Sequence, residues 1–286
     1  MTVLAPTRLD DAVAALAADP SLTVLAGGTD LMVAVNYGQR RPAGVLSLRQ
    51  VPELHDWRLE GEGRDAQVVL GAATTYTTLL DPALATLLPA LAQASRTVGG
   101  PQIRNTGTIG GNLGTASPAG DTLPVLVALD ATVELASAAG RRTLPVADFV
   151  TGPKRTALAP GELVAAVRVP VARGPQEFLK IGVRNAMVIA VAACALVLDL
   201  DGRRLACALG AVGPGPIRDH AAERWATASL DWDARPALDP GVADGFGRRM
   251  AAASRPIDDH RATAAYRHHA VEVLARRALE RAWGTA

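Results

Sequence analysis

The amino-acid sequence predicts an α+β fold in two parts, a larger N-terminal part and a smaller C-terminal part that combines a sheet with helices. Three observations predict it. Short apolar strand patterns alternate with helix patterns up to Pro170, and a break follows at Arg173-Gly174-Pro175. Beyond that break, two strand patterns precede a series of helix patterns. Because such breaks are typical of domain boundaries, we place the domains at residues 1–173 and 174–286.

The N-terminal elements are predicted from residue periodicity and turn residues. Strand patterns cover residues 23–26, 44–47, 67–72 and 132–136. Helix patterns cover residues 10–18, 77–80, 84–98 and 123–129. The first helix is rich in alanine, a strong helix former, and the last strand ends in a turn signal at Ala139-Gly140. The order is mixed α and β, without an internal repeat.

The C-terminal elements begin with strand patterns at residues 188–199 and 204–212, on either side of Asp201-Gly202. Asp-Gly is a favoured turn dipeptide of β-hairpins, so these two strands are predicted to pair. Helix patterns then cover residues 217–228, 241–254 and 262–282. In the last of these, apolar residues recur at helical spacing along one face: Val271, Leu274, Ala275 and Leu279.

Two glycine segments carry the functional prediction, and the first follows the strand pattern at residues 23–26. It comprises Leu25, Ala26, Gly27, Gly28, Thr29, Asp30 and Leu31. Adjacent glycines permit positive φ and close backbone approach, and consecutive N–H groups in such a turn form a concave nest that suits a diphosphate. Thr29 adds a hydroxyl donor, whereas Asp30 is suited to accept from N–H groups or a sugar hydroxyl. The alternative is a plain strand-to-turn connection, since Gly-Gly is a common turn dipeptide.

The second glycine segment, residues 99–117, is richer in small residues. Its glycines are Gly99, Gly100, Gly107, Gly110, Gly111 and Gly114. Its hydrogen-bonding residues are Thr106, Thr108, Asn112, Thr115 and Ser117, and Asp121 follows shortly after. Small residues allow the backbone to contact a planar ring, and the hydroxyl and amide groups can meet its edge or its phosphates. The alternative is a glycine-rich surface loop.

The ligand that these two segments favour is a nucleotide cofactor. Neither segment contains Lys, which argues against a phosphate that is to be transferred. The first segment also lacks the GxGxxG pattern of dinucleotide-binding folds and the GK[ST] pattern of P-loops.

Taken in order, Ala-Gly-Gly-Thr-Asp-Leu, Ile-Arg-Asn-Thr-Gly-Thr-Ile-Gly-Gly-Asn-Leu and Ala-Ser-Pro-x-x-Asp resemble the FAD-binding medium subunit of molybdenum hydroxylases. That family includes the flavoprotein subunits of xanthine dehydrogenase and aerobic carbon monoxide dehydrogenase. The likeness covers nearly the whole chain, including Phe178-Leu179-Lys180 and Tyr266-Arg267. It implies a two-part FAD-binding domain of the vanillyl-alcohol-oxidase/PCMH type at residues 1–173. A carbon-monoxide-dehydrogenase-flavoprotein-like C-terminal domain is implied at residues 174–286.

The resemblance also implies which positions bind FAD. It assigns the diphosphate to the whole first glycine segment, from Leu25 to Leu31. It assigns the diphosphate and ribityl region to residues of the second: Thr108, Gly110, Gly111, Asn112, Thr115 and Ser117. Asp121 lies on the same cofactor-facing turn, Leu163 packs on the adenine or ring system, and Lys180 lies close to the isoalloxazine. A positive charge at Lys180 would favour the anionic reduced flavin; the alternative is an ordinary solvated lysine.

Two positions depart from the family pattern. Val98 stands where some members have an aromatic side chain beside the flavin, so stacking there is expected to be weak or absent. Val188 stands where many members have an acidic residue, so a salt bridge at that position is not implied.

The implied function is electron transfer. This chain would bind FAD, while molybdopterin and two-iron–two-sulfur clusters are expected on partner subunits. Electrons would come from an iron–sulfur small subunit, beside a molybdopterin large subunit, and would pass to NAD or another acceptor. The expected assembly is a dimer of heterotrimers. No catalytic residue is assigned, since no Ser-His-Asp, Cys-His or paired-carboxylate set stands out.

Two other functions remain open at this stage. One is a free-standing FAD-dependent oxidoreductase that acts directly on a small molecule. The other is a binding or scaffold protein that kept the fold and lost the cofactor.

Composition argues against several other classes of function. The net charge is +1, from 29 basic and 28 acidic residues, so no attraction to nucleic acid or to an anionic membrane is predicted. The longest apolar run, residues 186–198, is too short for a membrane span, and the first residues do not resemble a signal peptide. A cytoplasmic location is therefore expected. Cys194 and Cys207 are the only cysteines, too few to ligate an iron–sulfur cluster, and no motif predicts a metal site.

Overall fold

The computed structural model describes residues 2–284 and has an α+β architecture, which confirms the predicted fold class. The strands are β1 (Thr2–Leu4), β2 (Thr23–Leu25), β3 (Gly44–Ser47), β4 (Trp57–Glu60), β5 (Gln67–Gly71), β6 (Thr132–Ser137), β7 (Gly140–Pro145), β8 (Val150–Gly152), β9 (Arg155–Thr156), β10 (Leu163–Pro170), β11 (Gln176–Ile181), β12 (Ala192–Asp199), β13 (Arg204–Gly210) and β14 (Ile217–Arg218). The α-helices are α1 (Leu9–Ala18), α2 (Leu31–Asn36), α3 (Pro82–Leu87), α4 (Pro89–Thr97), α5 (Pro101–Arg104), α6 (Ile109–Thr115), α7 (Thr122–Ala128), α8 (Val146–Phe149), α9 (His220–Ser229), α10 (Pro240–Ala253) and α11 (Ala264–Gly284).

The N-terminal end forms a small parallel sheet of order β1-β3-β2. Helix α1 packs on this sheet with the residues that its helical spacing places on one face: Leu9, Ala12, Val13 and Leu16. Strand β2 ends at Leu25, so the first glycine segment leaves the sheet directly from the carboxyl end of a strand. That end is where open parallel sheets commonly bind ligands.

A second sheet, antiparallel and of order β4-β5-β10-β6-β7, forms the centre of the N-terminal part. Its middle strand β10 is buried along most of its length. The second glycine segment is fastened to the chain that follows β5. The N–H of Ile109 donates to the carbonyl of Thr74 at 3.0 Å, and that of Gly110 donates to Ala72 at 2.8 Å. This sheet therefore fixes the position of the second segment.

The C-terminal sheet, of order β11-β12-β13-β14, joins the two parts of the chain. Side chains of β12 alternate between its two faces. Ala193, Ala195 and Val197 belong to the core of the N-terminal part, whereas Cys194 and Leu196 belong to the core formed with α9, α10 and α11. Both faces are therefore buried. The predicted domain boundary falls between β10 and β11.

Two predicted helices differ from the structure at positions where side chains explain the difference. The single helix predicted at residues 84–98 is wrong, because α3 ends at Leu87 and α4 begins at Pro89. Proline has no N–H and disfavours a helical residue before it. The helix predicted from Ile217 starts instead at His220, because Asp219 caps its N-terminus and the two preceding residues pair as β14.

Further predicted bounds need smaller corrections. The strand pattern at residues 188–199 begins only at Ala192, and the segment before it is an irregular turn. Met187 has a φ of +49° there, which interrupts any strand.

A buried arginine joins α11 to the C-terminal sheet. Arg267 is 2% exposed, and its Nη1 donates to the carbonyls of Val191 at 2.6 Å and Ala211 at 3.0 Å. Its Nη2 donates to Asp259 at 2.6 Å. The N–H of Arg261 and this guanidinium lower the pKa of Asp259 to about 2. The carboxylate thereby neutralises the buried charge.

This contact predicts a loss of stability in acid. Since folding lowers the pKa of Asp259, its stabilisation is complete above the unfolded value of about 3.9 and is lost as the pH falls toward about 2. Asp259→Asn should lower the melting temperature at pH 7. The difference in melting temperature from wild type should shrink as the pH falls from about 3.9 to about 2. Calorimetry measures both, with the exposed Asp10→Asn as the control. A difference that stays constant with pH would contradict the assignment.

Candidate functional site

The two glycine segments, far apart in sequence, lie in direct contact. A Cβ on Gly27 would lie 1.9 Å from the carbonyl oxygen of Thr106 and 3.0 Å from the Cα of Gly107. Only glycine permits two backbones to approach this closely. The Thr115 hydroxyl also donates to the carboxylate of Asp30 at 3.2 Å. The segments therefore form one structural unit, as a common ligand requires.

The first segment presents backbone N–H groups that have no partner in the part of the chain that the structure describes. Gly28 has a φ of +73°, which turns the chain through the left-handed region. Among residues 2–284, no acceptor takes a hydrogen bond from the N–H of Gly27, Gly28 or Thr29. All three residues are half-buried. Consecutive N–H groups of this kind form a nest for anionic oxygens.

The second segment is held firmly by its own contacts. Thr108 is buried, and its Oγ1 accepts from the N–H of Gly111 at 3.0 Å, which caps α6. A Cβ on Gly110 would lie 2.6 Å from the carbonyl oxygen of Ala72. The Thr122 hydroxyl donates to Oδ1 of Asn112 at 2.6 Å, so the orientation of that amide is fixed. Within the described chain the NH₂ group of Asn112 donates to nothing and is available to a ligand.

A buried ion pair lies next to this segment. Nζ of Lys180 is 2.5 Å from Oδ2 of Asp121, and their side chains are 8% and 6% exposed. The Thr97 hydroxyl donates to the same oxygen at 3.1 Å, and Lys180 donates to the Thr97 carbonyl at 3.3 Å. Burial raises the pKa of Asp121 above its ordinary value, against the opposite effect of Lys180. The other oxygen of Asp121, Oδ1, is buried without a partner among the described residues.

The pair modifies the role expected for Lys180. Its ammonium is neither a solvated surface charge nor an isolated positive charge, because Asp121 compensates it within hydrogen-bonding distance. Any effect on a neighbouring flavin is therefore the effect of a dipole.

A cavity of about 730 Å³ opens beside Lys180. Its walls include Arg96, Arg104 and Arg184, and none of the described residues that line it is acidic. Nη1 of Arg104 donates to the carbonyls of Val98 at 3.1 Å and Gly99 at 2.8 Å, which braces the turn after α4. Arg96 is exposed and makes no ion pair within the described chain. The cavity thus has a positive lining.

Other residues of the predicted set lie near these contacts. Val98 is half-buried and follows the last residue of α4, and weak or absent stacking on a flavin there stays a prediction. Leu163 begins β10 and is 2% exposed, and Ser117 accepts from the N–H of Ala119 at 3.4 Å. Val188 lines the cavity. Contact of Leu163 and Ser117 with a cofactor stays a prediction.

Sequence reasoning missed three side chains that belong to the site. Thr97 bridges the ion pair, Thr122 orients Asn112, and Tyr76 packs against Gly107. The run Thr-Thr-Tyr-Thr-Thr after β5 is an unusual density of hydroxyl groups and was the available signal for Tyr76. Thr97 carries no comparable signal, because it is one threonine at the end of a helix.

Membrane-spanning helices and metal-binding clusters are both absent from residues 2–284. No helix within residues 2–284 is long and apolar enough to cross a membrane. The same residues contain no group of three or more His, Cys, Asp or Glu side chains able to hold a metal ion.

Fold and site together define a flavin-binding subunit of an oxidoreductase. Residues 1–172 match the family of the FAD binding domain in molybdopterin dehydrogenase, and residues 177–282 match the CO dehydrogenase flavoprotein C-terminal domain. The chain therefore belongs to the FAD-binding subunits of the molybdenum hydroxylase family, of the xanthine dehydrogenase and carbon monoxide dehydrogenase type.

Individual relatives match over nearly their whole length. The chain is 33% identical to the carbon monoxide dehydrogenase medium chain of Afipia carboxidovorans, over 97% of this chain and 94% of the relative. It is 30% identical to the xanthine dehydrogenase FAD-binding subunit of Escherichia coli O157:H7, with the same coverage. A crystal structure of the Cu,Mo-CO dehydrogenase superposes with a TM-score of 0.88 at 32% identity, covering 100% of this chain and 98% of the other.

The residues present fit FAD. The unpaired N–H groups of Gly27 and Gly28 suit a diphosphate, which is an acceptor only. The buried, unpaired Oδ1 of Asp121 needs a donor, and a ribityl hydroxyl or a ring N–H supplies one. FAD offers both the acceptors that the N–H groups need and the donor that the Asp121 carboxylate needs.

A single methyl group tests the contact between the two segments. Gly27→Ala places its Cβ on the Thr106 carbonyl, so the segments must separate; overpacking of this kind costs about 1–3 kcal/mol. We expect the FAD content per folded chain to fall about tenfold or more. The control is Gly114→Ala on the second segment, whose Cβ would meet nothing within 4 Å. Equal FAD content in the two variants would contradict the assignment.

The ion pair predicts a thermodynamic cycle. Lys180→Met leaves Asp121 buried without its counter-charge, which should lower the free energy of unfolding by about 3–5 kcal/mol. Loss of the Lys180 charge raises the pKa of Asp121 in the native state further. Above about pH 4 the native state then still holds a proton on Asp121 that the unfolded chain has released. The difference in free energy of unfolding between wild type and Lys180→Met should therefore shrink as the pH falls toward about 4. Urea unfolding at several pH values measures it.

The double variant Lys180→Met with Asp121→Asn provides the control for this cycle. Removing both charges should recover much of the lost stability, because no uncompensated charge remains. If the two single effects simply add, the pair is not coupled and the account of the site is wrong.

Proposed function

We propose that this chain binds FAD between its two glycine segments and serves as the electron-transfer subunit of a molybdenum-containing hydroxylase complex. It would take electrons from iron–sulfur clusters of a partner subunit and pass them to NAD or another acceptor. The observation that carries the proposal is the contact of Gly27 with Thr106 and Gly107, beside N–H groups that bind no acceptor within residues 2–284.

The roles proposed for the chain's own residues are binding and positioning. The N–H groups of Gly27, Gly28 and Thr29 hold the diphosphate, and the amide of Asn112 reaches the ribityl region. The Lys180–Asp121 pair sets the electrostatics at the isoalloxazine. FAD, when bound, supplies two-electron storage together with one-electron exchange. No nucleophile or general base is required of this chain.

The cavity beside Lys180 is proposed as the place where the acceptor approaches. Arg96, Arg104 and Arg184 give it a positive lining, which favours an anionic molecule. NAD carries a diphosphate and fits that charge, as other anionic acceptors would.

The proposed partners are an iron–sulfur small subunit and a molybdopterin large subunit, arranged as a dimer of heterotrimers. The relatives support this, since the one from Afipia carboxidovorans is named a medium chain of its enzyme. Relatives that act on carbon monoxide and on xanthine share this kind of chain, so the hydroxylated substrate is set elsewhere in the complex. A cytoplasmic location stays a prediction.

Purification from the native host tests the proposed function. We expect one FAD per chain and co-elution with iron and molybdenum, and we expect poor turnover by the chain alone. Flavin absorbance and elemental analysis measure the first two. A yellow chain that elutes without metals and turns over a small molecule would indicate the free-standing oxidoreductase. A colourless, folded chain that does not bind added FAD would indicate a binding or scaffold protein that has lost the cofactor.

A further inference from the structure

Tyr76 lies at the junction of the two glycine segments. A Cβ on Gly107 would lie 2.8 Å from Cε2 of the Tyr76 ring, and a Cβ on Gly27 would lie 3.0 Å from the Cα of the same glycine. Gly107 is therefore flanked by Tyr76 and by the first segment. The N–H of Tyr76 donates to the Gly107 carbonyl at 3.1 Å, and Thr75 forms an isolated antiparallel β-bridge with Thr108. These contacts fix the ring relative to both segments.

The side chain of Tyr76 is largely buried, yet its hydroxyl has no partner among the described residues. The residue is 5% exposed, and its Oη makes no hydrogen bond to any residue in the range 2–284. A tyrosine with a buried ring usually finds a partner for its hydroxyl. Unlike Oδ1 of Asp121, the Oη of Tyr76 is not fully shielded, so a ligand can reach it. The other tyrosines have no such requirement, since Tyr37 and Tyr266 are 78% and 50% exposed.

The charges around this phenol keep it protonated. Burial, and then the carboxylates of Asp121 and Asp30, raise the pKa of Tyr76 above its ordinary value. A protonated phenol can donate a hydrogen bond to an acceptor. Asp30 belongs to the first segment, whereas Asp121 follows the second, so the ring lies within the field of both.

We propose that the Tyr76 hydroxyl donates a hydrogen bond to the ribityl–diphosphate arm of the bound cofactor. The inference rests on the proposed function, because it needs FAD between the segments. The arm, not the ring system, is the partner, since Tyr76 flanks Gly107 beside the free N–H groups of Gly27 and Gly28 and does not line the cavity next to Lys180. Phosphate and ribityl oxygens are acceptors that a phenol can reach alongside these N–H groups.

The test is Tyr76→Phe in the full chain, which removes one oxygen and keeps the ring against Gly107. FAD is titrated into the apoprotein with flavin fluorescence as the readout. We expect the dissociation constant to rise on the order of tenfold, as for loss of a charge-assisted hydrogen bond. The absorbance bands of bound flavin and the melting temperature of the apoprotein should stay as in wild type. Tyr266→Phe is the matched control.

The outcomes separate this inference from the function on which it rests. Wild type that binds no FAD would overturn the proposed function. Wild type that binds FAD, with Tyr76→Phe of equal affinity, would overturn the role of Tyr76 alone. Should the variant fail to fold, wild type labelled with 3-fluorotyrosine decides by ¹⁹F NMR. One of its three tyrosine signals must shift on adding FAD, and three unchanged signals would contradict the contact.

Discussion

The structure of this site depends on one close contact between backbones, that of Gly27 with the Thr106–Gly107 peptide. A side chain of any size at position 27 would hold the two segments apart. This contact brings together a loop that leaves the parallel sheet and a loop that is hydrogen-bonded to the chain after β5 of the antiparallel sheet. The first loop offers the nest of N–H groups, and the second adds the amide donor of Asn112. The proposed binding site for an elongated anionic cofactor therefore lies at the junction of two sheets.

Charge compensation is the second constraint. Lys180 arrives from the C-terminal sheet and Asp121 from the turn before α7, so their ion pair joins the two parts of the chain at the site. A buried charge is tolerated only with a partner, and this partner leaves one carboxylate oxygen free for a ligand. Arg267 follows the same rule further away, where Asp259 neutralises it and holds α11 on the sheet. The C-terminal part thus contributes to the site through an element that is itself firmly anchored.

Much of the fold was predictable from sequence, because its signals are local. Strand β3 agrees with the predicted range residue for residue, and both glycine segments were identified by the conformational freedom that their backbone needs. The break at Pro89 was also a local signal, and the prediction gave it too little weight against the apolar run around it. The Lys180–Asp121 pair was beyond such reasoning, because two residues 59 positions apart carry no mark of their contact. Tyr76 had a signal in the hydroxyl-rich run around it, but its position beside Gly107 is set only by the folded chain.

The central claim is that one FAD molecule bridges the two glycine segments, and a structure of the chain with FAD bound tests it most directly. The account predicts diphosphate oxygens within hydrogen-bonding distance of the N–H groups of Gly27 and Gly28, with the ribityl chain against the second segment. FAD that contacts only one of the two segments, or FAD bound away from both, would contradict it.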